Sequence, residues 1–80
     1  MMDVIEARYI KGYRLWLRFE DATEGEVDLS AELHGPIFEP LKDQAFFSRV
    51  FVNANTGTIE WPNGADFAPE FLYAKVHVAA

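Results

Sequence analysis

The sequence predicts an α+β fold: an antiparallel sheet made of an N-terminal three-stranded meander and a C-terminal hairpin, packed with short helices. Three observations carry that reading. Tyr13-Leu15-Leu17-Phe19 alternates strictly with Arg14-Trp16-Arg18-Glu20, the period-two mark of a strand with one buried face. Asn55-Thr56-Gly57 and Trp61-Pro62-Asn63-Gly64 are turn signals that bound a short strand. Two proline-bearing stretches, Pro36 to Arg49 and Pro69 to Lys75, suit short helices that close one face of a sheet.

The first strand runs from Val4 to Tyr9, and its register against the second follows from which loop brings apolar residues together. A two-residue Lys11-Gly12 turn sets Arg8 and Glu6 opposite Leu15 and Leu17 and wastes the core face. A three-residue loop Ile10-Lys11-Gly12 pairs Tyr9 with Tyr13, Ala7 with Leu15 and Ile5 with Leu17, and we expect that register. The loop Asp21 to Gly25 leads to a third strand, Glu26 to Leu29, which puts Val27 on the face of Phe19 and Arg18 across from Asp28. Ser30 reads as a helix N-cap, and Gly35-Pro36 ends that turn. Two helical turns follow, one through Phe38 to Leu41 and one capped by Asp43 through Phe47, kept apart by Pro40. Val50 to Ala54 and Thr58 to Trp61 form the hairpin. Pro62, Asn63 and Gly64 then end the fifth strand abruptly at a corner occupied by Trp61. Asp66 caps the last helix, whose apolar stripe is Phe67, Phe71 and Leu72, and the tail from Lys75 ends as a strand through Val76 and Val78 or frays.

Eighty residues predict one α+β domain spanning residues 1–80, and a chain of that size buries only about 60% of its unfolded surface, for a stability of a few kcal/mol. Half the residues are hydrophobic and 15% are aromatic, which excludes a disordered chain. There is no cysteine, hence no disulfide and no cysteine-ligated metal. MMDVIEARY carries Asp3 and no secretory apolar run, and no later stretch is apolar over the length of a membrane span. A cytoplasmic protein with no membrane contact is expected.

The net charge of −6 disfavours phosphate backbones and acidic membranes, so no direct nucleic-acid binding is expected. The charge is uneven. Arg8, Lys11, Arg14 and Arg18 are four of seven basic residues, whereas residues 20–32 hold six acids and no base. That acid run lacks the acid-and-glycine order of a calcium loop and reads as a solvated edge. His34 and His77 lie far apart without ligand spacing, and neither Ser30 nor Ser48 has a base nearby, so no catalytic residue, metal or cofactor is expected. Two surfaces remain. Arg14, Trp16 and Arg18 share the outward face of one strand and form a candidate partner-binding trio, since Trp and Arg anchor interfaces. The bland alternative covers Trp16 with the short helices, pairs Arg18 with Asp28, sets Arg14 diagonal to Glu6 and leaves Arg8 facing Arg14. The second surface is a candidate pocket at the corner, with Trp61, Asn63, Asp66 and Tyr73.

The order Tyr13-Arg14-Leu15, Gly25-Glu26-Val27-Asp28-Leu29, Gly35-Pro36, Phe38-Glu39-Pro40-Leu41-Lys42-Asp43 and Gly57-Thr58-Ile59-Glu60-Trp61-Pro62-Asn63-Gly64-Ala65-Asp66, followed by Leu72-Tyr73, resembles the small bacterial domain of unknown function 2442 (DUF2442). WPNGAD is the most specific part. The resemblance implies a cytoplasmic α+β domain with no established activity. Some relatives are fused to a C-terminal helix-turn-helix, and others are encoded beside a second small protein in an arrangement similar to toxin–antitoxin pairs. These residues hold no helix-turn-helix pair, so only the sensing or partner-binding part carries over. The expectation is a non-enzymatic binding or regulatory module, antitoxin-like, partnered by another small protein. The rivals are a small-ligand sensor or weak enzyme with its pocket at the WPNGAD corner, and a self-associating domain that forms a homodimer.

Overall fold

The computed structural model describes the backbone of residues 2–79 and the side chains of residues 2–76. Strands β1 (Val4–Lys11), β2 (Arg14–Phe19) and β3 (Glu24–Asp28) form an antiparallel sheet in the order β1-β2-β3. Strands β4 (Phe51–Asn53) and β5 (Thr58–Glu60) form a separate hairpin. Two 3₁₀ turns, Ser30–Glu32 and Glu39–Lys42, and the one-turn helix α1 (Gln44–Phe47) link the two sheets. Helix α2 (Pro69–Ala79) follows the hairpin. The architecture is α+β, as the alternation and turn signals predict.

The alternation in β2 decides where the core lies. Leu15, Leu17 and Phe19 are fully buried, and Arg14, Trp16 and Arg18 point the other way. Onto the inner face come Val27 and Leu29, Leu41 from the second 3₁₀ turn, Phe47 from α1, Ile59 and Trp61 from the hairpin, and Leu72 and Val76 from α2. Each such side chain contributes about 1.5–3 kcal/mol on full burial. Rings tie the layers together: Tyr13 meets Phe47 edge-on at 5.3 Å between centroids, and Phe19 meets Tyr73 at 5.1 Å.

The β1–β2 register differs from the expected one by two residues. Tyr9 faces Leu15, Ala7 faces Leu17 and Val4 faces Phe19, in place of Tyr9 with Tyr13, Ala7 with Leu15 and Ile5 with Leu17. The connection is a two-residue Gly12-Tyr13 turn with Gly12 at φ +53°, glycine standing first as such tight hairpins prefer. Irregularities between Tyr9 and Lys11 and between Val4 and Glu6 each absorb one extra residue in β1. The extra residues are Ile10 and Ile5, and both are exposed. The bulges explain why the expected face holds at Tyr9 and Ala7 but not at Ile5, and why the pairing differs throughout. The first lets a tight turn keep Tyr9 and Ala7 on the core face, and the second reverses the alternation so that Val4 turns inward.

Other elements depart by smaller amounts. Strand β3 starts at Glu24 because the chain turns tightly over residues 20–23, with Phe19 N–H bonded to Thr23 O at 2.8 Å and Ala22 at φ +73°. Arg14, not Arg18, therefore faces Asp28, and Arg18 faces Glu24. Ser30 does not cap its turn; its N–H donates to the Asp28 carboxylate at 2.9 Å. Asp43 does cap α1, its Oδ1 accepting from Ala45 N–H at 3.1 Å. The WPNG turn closes as expected, with Gly64 N–H donating to Trp61 O at 2.9 Å and Gly64 at φ +89°. The chain then runs back along β5: Trp61 N–H bonds Ala65 O at 2.9 Å, Glu60 bridges Asp66, and Thr58 Oγ1 donates to Phe67 O at 2.6 Å. Asp66 is thus held beside β5 and does not cap α2, which begins three residues later.

Helix α2 continues to Ala79, so the tail is neither a strand nor frayed there. The expected surface placement of His77 lies outside the described side chains. Gly25 marks the close approach of α2 to β3, for a Cβ there would stand 2.8 Å from Val76 Cγ1. Lys75 pairs with Glu32 at 3.3 Å, and Tyr73 OH donates to Asp21 Oδ2 at 2.7 Å, which ties the helix to the first 3₁₀ turn and to the β2–β3 loop. Among the described residues, no helix is long and apolar enough to cross a membrane.

Candidate functional site

Helices α1 and α2 and the hairpin contribute to the inner face, and the outer face of the three-stranded sheet carries alternate side chains of β1, β2 and β3. Its rows follow from the register. Glu6, Arg18 and Glu24 form one, Arg8, Trp16 and Glu26 the next, and Lys11, Arg14 and Asp28 the third. The middle strand therefore presents two guanidinium groups with an indole between them, and acids line β3.

The guanidinium groups are already engaged. Arg18 Nη2 donates to Glu6 Oε1 at 2.7 Å, and Arg8 Nη2 donates to Glu6 Oε2 at 2.8 Å, so one carboxylate receives both. These bonds, that of Arg18 first, hold the Glu6 carboxyl below its ordinary pKa. Arg14 reaches Asp28 Oδ2 at 3.3 Å and Glu26 Oε1 at 3.5 Å. Asp28 is also lowered, chiefly by the Ser30 backbone N–H and less by Arg14. The pairs are solvent-facing, with the side chains of Arg14 and Arg18 43% and 40% exposed, so water and salt screen them and each adds little to stability. Trp16 is half-buried under the Arg8 guanidinium, whose carbon lies 5.1 Å from the ring centroid.

The cover of Trp16 is therefore Arg8 and not the short helices. Arg8 faces Trp16 and not Arg14, and the acid beside it is Glu6, whose bond goes to Arg18 and not to Arg14. The sequence places Arg14, Trp16 and Arg18 on one face, and the structure brings all three together there. The expected register already sets Glu6 and Arg8 on this face, but against Arg14; the observed one, displaced by two, sets Glu6 across from Arg18 and Arg8 across from Trp16. A signal for them existed: Glu6 and Arg8 stand two apart in a strand, hence on one side of it.

The residues of the WPNGAD corner do not converge on one space. Trp61 is fully buried, its Nε1–H donating to Phe47 O at 2.8 Å and its ring packed by Phe47 at 5.4 Å and Phe67 at 5.9 Å. Asn63 uses both ends of its amide, donating to Ile37 O at 2.9 Å and accepting from Ala65 N–H at 3.1 Å. Asp66 is exposed beside β5, and Tyr73 bonds Asp21 and packs on Phe19. The Tyr73 hydroxyl is the main reason the Asp21 carboxyl sits below its ordinary pKa, with Thr23 N–H adding to it. This chemistry fastens a turn, a hairpin and a helix to one another.

Among the described residues, no three His, Asp or Glu side chains come together as a metal-holding group. A cleft of about 190 Å³ opens elsewhere, between the start of β1 and the β4–β5 turn, lined by Asp3, Val4, Ile5, Glu20, Val52, Ala54 and Gly57. Sequence reasoning gave no hint of it, because it joins residues more than fifty positions apart.

Comparison with curated proteins and with solved structures finds no match. The model of one family, described as protein of unknown function (DUF2442), matches residues 4–78, which takes in β1 and its bulges, the outer-face rows, the WPNGAD corner and nearly all of α2. Sheet, corner and helix thus fall within one family pattern, and the chain belongs to the DUF2442 family.

Proposed function

We propose that this chain is a non-enzymatic binding module that docks a small, basic protein partner, antitoxin-like, through the outer face of its three-stranded sheet. The observation that carries the reading is the half-buried Trp16 at the centre of that face, flanked by Arg14 and Arg18 on the same strand. An indole among guanidinium groups is the composition of an interface anchor. The net charge of −6 favours a basic partner and speeds its encounter. Because Arg14 and Arg18 are held by Glu26, Asp28 and Glu6, docking exchanges ion pairs within the chain for ion pairs across the interface. That exchange fixes orientation, and the indole supplies the apolar contact.

The test is co-expression with the product of the adjacent gene, followed by capture. The reading expects a specific complex, relief of any toxicity of the neighbour, and loss of capture with Trp16→Ala while the variant stays folded. Equal capture by Trp16→Ala, or no complex at all, overturns it. Trp61→Phe leaves Trp16 as the sole indole, so binding can also be followed by its fluorescence.

A further inference from the structure

We propose that the free edge of β3 binds an extended segment of a partner protein carrying Lys or Arg at every second position, which joins the meander as a fourth strand. The inference is independent of the reading of the outer face, because it rests on the backbone of β3 and not on Trp16.

The two edges of the three-stranded sheet differ. Strand β1 is interrupted by two bulges and begins against the β4–β5 turn, where Val4 N–H donates to Gly57 O at 2.9 Å, so it offers no regular row to a further strand. Strand β3 runs opposite β2 without a shift, from Asp28 across from Arg14 to Glu24 across from Arg18. Both ends of this ladder fix its hydrogen-bonding phase: Leu29 N–H donates to Tyr13 O at 2.9 Å, and Phe19 N–H donates to Thr23 O at 2.8 Å. An antiparallel ladder bonds alternate pairs, so the bonds between these ends are exchanged by Val27 with Leu15 and by Gly25 with Leu17. Glu24, Glu26 and Asp28 then turn their N–H and C=O groups away from β2, and among the described residues no other strand pairs with them. Such a row is a template for strand addition.

The same three residues decide what the edge accepts. Their side chains are exposed, and they stand on the outer face. Residues that exchange backbone bonds point to the same side of a sheet, so an added strand sets one of its own side chains beside each carboxylate. Cations within the chain compensate these acids unevenly. Arg14 reaches Glu26 at 3.5 Å and Asp28 at 3.3 Å, whereas Arg18, across from Glu24, gives its Nη2 to Glu6 at 2.7 Å. A lysine or arginine beside this row is favourable, and a like charge is not. A second copy of β3 laid antiparallel sets acid beside acid throughout, so the edge rejects its own kind. Backbone pairing demands a peptide, and the carboxylates demand that it be basic.

The experiment follows backbone amide signals of the intact chain by two-dimensional NMR as a capped heptapeptide is added, with lysine at its second, fourth and sixth positions and valine elsewhere. Saturable shifts along Glu24 to Asp28 are expected, with slower hydrogen exchange at the Glu24 and Glu26 amides. Methylating the backbone nitrogens of the lysines removes the donors that face β3 and should abolish the shifts. Methylating those of the valines, which point away, should leave them in place. The double variant Glu24→Lys/Glu26→Lys should bind more weakly by on the order of tenfold, its spectrum away from β3 reporting that it is folded. A peptide with glutamate in place of lysine makes the same test on the unaltered chain, and it should not bind. Unsaturable shifts, equal binding of the lysine-methylated or glutamate peptide, or equal affinity in the double variant each overturn the proposal. Trp16→Ala should leave the affinity unchanged; a loss there assigns the peptide to the outer face and overturns the assignment to the edge.

Discussion

The two tryptophans occupy opposite kinds of place. Trp61 sits at the end of β5 with no exposed surface, bonded through Nε1 to Phe47 O and packed between Phe47 and Phe67. Trp16 lies mid-strand on the outer face, half-buried, with a guanidinium across its ring. The difference shows how neighbours assign roles to one residue type. A Trp beside a Pro-Asn-Gly turn is folded back over by the returning chain, whereas a Trp between two arginines in an alternating strand is turned out to solvent.

The largest test of that contrast is Trp61→Ala. It removes the biggest buried side chain and takes from the Phe47 carbonyl the shorter of its two hydrogen bonds, leaving the Val50 N–H at 3.3 Å, at a cost of about 3–5 kcal/mol. For a domain of this size that consumes most of the stability. Urea denaturation followed by circular dichroism should show a chain largely unfolded in buffer. Gly25→Ala tests the buried side at a second point, since the new methyl meets Val76; a loss of about 1–3 kcal/mol is expected. Combining it with Val76→Ala should reduce the penalty for the added methyl, and a purely additive result breaks the assignment of that contact.

Trp16→Ala is expected to cost under about 1 kcal/mol, the scale of an exposed cation–π contact. Iodide should quench Trp16 in the Trp61→Phe variant and leave Trp61 emission nearly untouched in Trp16→Phe. The smallest effect concerns pH. The folded pKa of Glu6 lies below its unfolded value, so its contribution is present above the ordinary glutamate range and is lost as pH falls through the folded value. Glu6→Gln should therefore lower stability slightly at neutral pH and flatten its decline on acidification, as thermal melts across that range would reveal.

How much of this was legible in the residues depended on how local the cause was. Leu15, Leu17 and Phe19 declare the inner face by alternation, Asp43 declares its cap, and Pro62-Asn63-Gly64 declare their turn. The bulges at Ile5 and Ile10 were hidden, since nothing in the residues of one strand says that the partner strand is a residue shorter. The helical end of the chain was hidden for the opposite reason. Val76 and Val78 favour a strand locally, and the packing of Leu72 and Val76 into the core near Gly25 overrides that preference. As for the candidate surface, Arg14, Trp16 and Arg18 could be read directly, but the pairing of Glu6 with Arg18 and of Arg8 with Trp16 could not, because it follows only from the true register. The Asp3 cleft was out of reach of any local signal.

The tie between Tyr73 and Asp21 spans 52 positions, and Leu72 and Val76 close over a meander completed by Asp28. During synthesis, then, the meander is made well before the helix that completes the cover of its oily side, and part of that side stays open until the last quarter of the chain follows. Over that interval the carboxylates of Glu24, Glu26 and Asp28 guard the unfinished border of the sheet against sticking to a nascent neighbour.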